Sequence, residues 1–242
     1  RRRFYWPGYQ LHIKDYVKRC HACQVFGRES DRTELIHFSP SKPFEIVQWD
    51  IVGPLPITKN LNKYILVMID MFSKWLEAFP IPSLESSILA DKLINDVICR
   101  YGIPNQLHSD NGTNFKSNLM KNVCDKFGIF QTNTTPYHPE GNGGVERANG
   151  TIVRMLSKAV ENRNEWDEEL PKILFYYRSS LSTSTKYTPS KLFIGRELIT
   201  PTDKIFEAPH NSSSSSPDMD SYVTKLDKDL KKWFKNAKFN IR

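Results

Sequence analysis

A chain of 242 residues with 39% hydrophobic content has room for one full core plus smaller appendages. No apolar run approaches the roughly 20 residues of a membrane span, and no signal peptide is visible, which argues against a membrane protein. The net charge of +7 sits at the two ends: residues 1–32 carry eight Lys/Arg against three acids, residues 218–242 seven against four, and the body between is nearly neutral. Basic ends flanking a neutral body suit a polyanionic partner.

The chain begins Arg1-Arg2-Arg3 without a methionine, as expected of a piece of a larger polyprotein or gene product. Phe4-Tyr5-Trp6-Pro7-Gly8 leads into a helix around His12–Arg19, followed by Cys20-His21-Ala22-Cys23. A Cys-x2-Cys pair gives two thiolates the geometry to share a tetrahedral zinc, and two further ligands are then needed. His12 and His21 lie too close to the pair to be taken as those ligands, and Arg28 to Pro43 reads as a polar linker. Cys99 and Cys124 fall on apolar helix faces and read as core thiols.

Ile46–Pro54 is predicted as the first strand, and Tyr64–Phe72, a continuous apolar run, as a central strand buried on both faces. Lys74–Pro80 pairs with it through a tight connection at Ser73, with Asp70 in a turn or capping role. Ser83–Arg100 has helical periodicity and is stopped by Gly102-Ile103-Pro104. A strand at Gln106–Ser109, a helix at Ser117–Phe127 with Gly128 as its C-terminal cap, and a short strand at Ile129–Asn133 follow. Antiparallel strands first, then strands alternating with helices, make an α/β fold with a sheet of mixed direction.

The 134–144 loop is rich in Gly and Pro and leads into a helix predicted over Gly143–Asn162. Val145, Ile152, Leu156 and Ala159 are its buried stripe, while Arg147, Arg154 and Lys158 share another face. A second helix runs from Trp166 to about Arg178. Residues 209–217 (Pro-His-Asn-Ser-Ser-Ser-Ser-Ser-Pro) are a linker on composition. Beyond them Tyr222, Val223, Leu226, Leu230, Trp233, Phe234 and Ala237 recur at helical spacing, an amphipathic helix that needs a partner surface.

Three acids stand out by context. Asp50 lies in the apolar strand Phe44-Glu45-Ile46-Val47-Gln48-Trp49-Asp50-Ile51, Asp110 ends the strand Gln106-Leu107-His108-Ser109, and Glu146 follows the glycine-rich loop in the first turn of its helix. A buried carboxylate is costly unless paired or bound to metal, so the three together read as a metal site. Asp125 and Glu161 share the 36-residue offset of Asp110 and Glu146, but sit among charged neighbours on helices and read as solvated.

Here the sequence resembles the integrases of gypsy-type LTR retrotransposons and of retroviruses. The acidic signature D…D-x35-E is filled by Asp50, Asp110 and Glu146. Asp50-Ile51-Val52-Gly53-Pro54-Leu55-Pro56, Ser109-Asp110-Asn111-Gly112, Val145-Glu146-Arg147-Ala148-Asn149 and Tyr187-Thr188-Pro189-Ser190-Lys191-Leu192-Phe193-Ile194-Gly195-Arg196 carry the rest.

The resemblance implies a ribonuclease H-like catalytic core over 44–204. Before it, 1–32 would be the C-terminal part of an N-terminal zinc-binding (HHCC-type) domain, followed by a linker at 33–43. A Ser-rich linker at 205–217 and a basic helix at 218–242 leading toward a small C-terminal domain would follow the core. It implies a nuclear DNA-joining enzyme that trims the 3′ ends of its element and inserts them into target DNA, as a homo-oligomer without membrane attachment. It also implies zinc on Cys20 and Cys23 with an upstream histidine pair.

Three carboxylates at one locus repel one another. Two Mg2+ or Mn2+ ions relieve this, with Asp50 bridging, Asp110 on one ion and Glu146 on the other. Asn149, one turn past Glu146, would face the same site. Tyr137 and His138 in the loop, with Arg147, Arg154 and Lys158, are the candidate DNA contacts. Two positions depart from the family: glutamine is common where Gly144 stands, and a basic residue where Gly150 stands. Both changes read as lost DNA-facing side chains, and they support an alternative, a host-domesticated DNA- or chromatin-binding descendant with little catalysis. A stand-alone ribonuclease H shares the expected fold and metals but not the Cys pair or the Pro189–Arg196 segment.

Overall fold

The computed structural model describes residues 6–20, 40–134, 143–160, 162, 164–205 and 219–241, the last stretch with side chains from 223 onward. The chain divides into two compact units, Arg1–Ile36 and His37–Arg242. In the first, Gly8 in the left-handed conformation starts helix α1 (Tyr9–Arg19), which buries none of its residues. Trp6 Nε1 donates to His12 Nδ1 at 2.9 Å, and Asp15 and Arg19 pair one turn apart at 3.0 Å.

The second unit is built on one sheet of β1 (Ile46–Val52), β2 (Tyr64–Asp70), β3 (Leu76–Ile81), β4 (Gln106–Ser109) and β5 (Phe130–Asn133), in the order β3-β2-β1-β4-β5. β1, β2 and β3 run antiparallel, and β4 and β5 run parallel to β1. The mixed sheet expected from the element order is therefore present. β3 and β5 are its outer strands, the first carrying Pro80 and the second only four residues long.

Strand alternation sorts the core into two layers. Val47, Trp49, Leu66, Met68, Phe79 and Ile81 face one side. They are covered by α2, which runs from Ser86 to Tyr101, and by α3 (Asn118–Phe127). Ile65, Val67, Ile69, Leu76 and Ala78 face the other, under α4 (Gly143–Ala159) and α5 (Trp166–Ser179). Ser117 caps α3 by accepting from Met120 N, and Gly128 ends it in the left-handed conformation.

Two details differ from the sequence expectation. The middle of α2, Lys92–Ile98, is wound as a π-helix, and Cys99 just after it is exposed, whereas Cys124 is buried. Cys99 lies six residues past Leu93 and two past Val97, off the stripe of Leu89, Leu93 and Val97 that the helix buries, which accounts for its exposure. On α4 the buried stripe is Val145, Ala148, Ile152 and Leu156; Ala159 is exposed, and Val160 just past the helix packs into the core in its place.

Asp70 takes the turn role expected of it. Its Oδ1 accepts from Phe44 N at 2.9 Å, and its Oδ2 accepts from Ser73 N at 2.8 Å and from Ser73 Oγ. The Tyr187–Arg196 segment folds as a short helix, α6 (Pro189–Ile194), with Thr188 capping it, Pro189 in its first turn and Gly195 closing it. It seats Phe193 against Trp75 (stacked, 4.8 Å), Tyr101 and Phe44. After α7 (Pro201–Ile205), the long helix α8 (Met219–Ile241) lays Trp233, Phe234, Ala237 and Ile241 on Phe72, Tyr187 and Leu192. The partner surface that its amphipathic pattern calls for is the core itself.

Candidate active site

Alternation along β1 also sorts its polar residues. Val47 and Trp49 enter the α2–α3 layer, so Gln48 and Asp50 face α4. Both reach it: Gln48 Oε1 accepts from Val145 N at 3.2 Å, and Asn149 Nδ2 donates to Asp50 Oδ2 at 2.8 Å. The parallel register pairs Gln48 with His108; carried two residues on, it sets Asp50 beside Asp110 at adjacent strand ends. Asp110 is fixed by a local turn in which its Oδ1 accepts from Gly112 N at 2.8 Å, and Asn111 Nδ2 donates across to Thr134 O. Glu146 lies in the first turn of α4 and is exposed.

The electrostatics single out Asp50. Burial pushes its carboxyl above the usual range, and the charges of Asp110 and Glu146 push the same way. Hydrogen bonds from Ile51 N and Asn149 offset part of this.

Other interior acids are differently served. Asp70 has the three donors described above. Glu77 accepts from Trp75 Nε1 (2.9 Å) and Tyr101 Oη (2.7 Å) and pairs with Arg178 at 2.7 Å. Asp167 accepts from Thr58, Asn60 and Asn62 at 2.8 to 3.1 Å. Those three carboxylates are explained by their partners. Asp50 has two donors, yet the charges acting on it come from two further acids, Asp110 and Glu146, and a divalent cation would neutralise that shared charge.

Sequence reading passed over Gln48. It is fully buried, and its amide occupies the space beside Gly144: a Cβ on residue 144 would lie 2.5 Å from Gln48 Oε1 and 2.9 Å from Met71 Sδ. This corrects the reading of Gly144 as a lost DNA contact, because the position faces the interior rather than solvent. The signal was an amide inside the apolar run Ile46-Val47-Gln48-Trp49, on the same strand face as Asp50. Gly150 has open space around it and fits the exposed position expected.

Residues 40–139 match the integrase core domain family, and residues 1–28 match the integrase zinc-binding domain. The chain carries an integrase core domain preceded by an integrase zinc-binding domain. It is 30% identical over 82% of its length to a Pro-Pol polyprotein of simian foamy virus type 3, and 30% identical over 92% to the Gag-Pol polyprotein of feline leukemia virus. A Pol polyprotein from transposon 412 of Drosophila melanogaster is 28% identical over 81%. The chain spans only 17%, 13% and 16% of those polyproteins, respectively. A chain of a simian T-cell lymphotropic virus intasome aligns with a TM-score of 0.57 at 24% identity, over 78% of this chain and 68% of that one. The HTLV-2 integrase catalytic core, in complex with magnesium and in trimeric form, aligns at 0.51 and 21%, over 63% and 97%. These structural likenesses establish the ribonuclease H-like fold.

On this integrase core the remaining candidates are placed as follows. Arg147, Arg154 and Lys158 are exposed on α4, with Arg154 Nε donating back to Gly150 O at 3.1 Å. Asn149 is half-buried beside Asp50, and its Oδ1 is buried without a hydrogen-bond partner among the described residues. Tyr137, His138 and Cys23 lie outside the described residues, whereas Cys20 follows α1 and is half-buried. Among the described residues no three His, Cys, Asp or Glu converge closely enough to hold one ion. The donor set nevertheless fits a hard cation: it is all oxygen and carries excess negative charge, and an unpartnered amide oxygen lies alongside.

Proposed function

We propose that this integrase core catalyses divalent-metal-dependent phosphoryl transfer on DNA, trimming the 3′ ends of an element and joining them to a target duplex. The observation that carries the reading is Asp50, a half-buried carboxylate raised by burial and by the charges of Asp110 and Glu146. Asp50, Asp110 and Glu146 would hold two Mg2+ or Mn2+ ions. Bound as a pair, the ions supply activation of the attacking oxygen and stabilisation of the leaving one.

The protein's own residues do the positioning. Asn149 fixes the Asp50 carboxylate through its Oδ2, and the Gly112 amide fixes Asp110. Arg147, Arg154 and Lys158 offer an exposed basic face to a DNA backbone, and Tyr137 and His138, shortly before α4 in the sequence, would add to it. Cys20 and Cys23 would share zinc in the N-terminal unit. The intasome and trimeric assemblies of the structural relatives support a homo-oligomer, and the target duplex it joins would be met in the nucleus. The domesticated-binder reading loses one of its two supports, because Gly144 is accounted for by packing.

The test is strand transfer. The full chain is incubated with Mn2+ and a labelled duplex that mimics an element end, with Glu146→Gln as the blank. Joined products above the blank are expected; their absence at every metal concentration would move the reading to a DNA-binding protein without catalysis.

A further inference from the structure

The polar seam between β1 and α4 has two contacts. Asp50 meets Asn149, and one helical turn earlier Gln48 meets the backbone amide of Val145. Residues 48 and 50 are neighbours on one strand face, and 145 and 149 are neighbours on one helix face. The two contacts are therefore one clamp, and in sequence Glu146 falls between the two helix positions it holds. The Val145 amide belongs to the first helical turn, whose donors have no partner within the helix. Gln48 supplies one from the sheet.

We infer that Gln48 is a positioning residue, which sets the first turn of α4, and hence Glu146, against the strand ends that carry Asp50 and Asp110, and that Gly144 is the space this contact requires. Three observations carry it. Gln48 is fully buried beside a cluster of apolar side chains from the sheet and from α4 and α5. Its Oε1 reaches a first-turn amide that has no acceptor within the helix. Any side chain at residue 144 would overlap that same oxygen and Met71 Sδ. Position 144 and position 48 thus compete for one volume, which admits one amide from the strand or one from the helix. The inference rests on the proposed metal-dependent reading for its effect on chemistry, but the clamp itself can be read without activity.

The experiment is a double-mutant cycle in the full chain: Gln48→Ala, Gly144→Gln and the two combined. Each protein is measured twice, by hydrogen exchange at the Val145 amide and by Mn2+-dependent strand transfer. Each single change should speed Val145 exchange and lower product formation roughly 10-fold, because a misplaced acid misaligns the reacting groups. The combination should recover a large part of both, since the glutamine then occupies the vacated space from the helix side. If Gln48→Ala does not fold, Gly144→Ala replaces it: its single methyl must displace the Gln48 oxygen, and faster Val145 exchange is expected.

A double mutant no better than the worse single change in Val145 exchange would overturn the clamp. So would unchanged Val145 exchange in Gly144→Ala. Val145 exchange that follows the cycle while every protein, wild type included, stays inactive would support the clamp and sink the proposed reaction instead. Exchange that follows the cycle without any change in strand transfer would overturn the positioning role.

Discussion

Asp50 illustrates how a single residue can be argued from its neighbours. Its carboxyl is raised first by burial and then by two acids, so its charge is a cost in the metal-free protein. Asp50→Asn should raise the melting temperature without metal and abolish strand transfer, and Mg2+ should stabilise wild type more than the variant. Scanning calorimetry with and without Mg2+ checks this, and a variant that retains strand transfer would sink the assignment. Asp110→Asn should also abolish transfer. Asp50 and Asp110 were legible because a carboxylate in or just after an apolar strand has few structural excuses. Gln48 and Gly144 were not, because their meaning is mutual and lies 96 positions apart in the chain. Gly144→Gln alone is accordingly expected to impair the protein, although it restores the residue the family commonly carries.

At the scale of elements, the helices were readable from periodicity and caps, and their bounds shifted where packing overrode pattern, as with the π-wound turn of α2 and the end of α4. The interior of α4 still carries a local weakness at Gly150, which has open space around it. Gly150→Arg should stabilise the helix by up to about 1 kcal/mol, measured by chemical denaturation, because it removes the backbone freedom of glycine.

Asp167 joins the segment after β1 to the start of α5. Burial pushes its carboxyl up, but the hydrogen bonds from Asn62, Asn60 and Thr58 outweigh this and hold it below the usual range. A depressed carboxyl contributes stability that is present above its unfolded value and lost as pH falls through the folded one. Asp167→Asn should therefore melt below wild type at neutral pH, and the gap should close on acidification toward and below the ordinary range of about 4. A gap that stays constant with pH would show that the acid's charge is irrelevant to the joint.

For the whole molecule, the mixed five-stranded sheet was legible from the order of strands and helices. The docking of α8 was not, since its apolar stripe named no partner. That docking alters how the basic end is tested, because removing residues 218–242 would uncover Phe72 and Leu192. Exposed lysines on α8 are the better target. Changing Lys225, Lys228, Lys232 and Lys235 to Gln should lower the salt dependence of DNA binding by about 1 unit of slope for each lysine that meets a phosphate. Binding isotherms across a salt series measure it, and an unchanged slope would make the charge at this end incidental. The sheet's outer strands carry a different consequence. Pro80 removes a main-chain donor from β3, and β5 offers only four residues of ladder, so neither margin is a good template for an incoming strand. Copies of this chain that associate are therefore expected to meet through helical faces, and crowding them in solution should not nucleate fibres that grow by adding strand to strand.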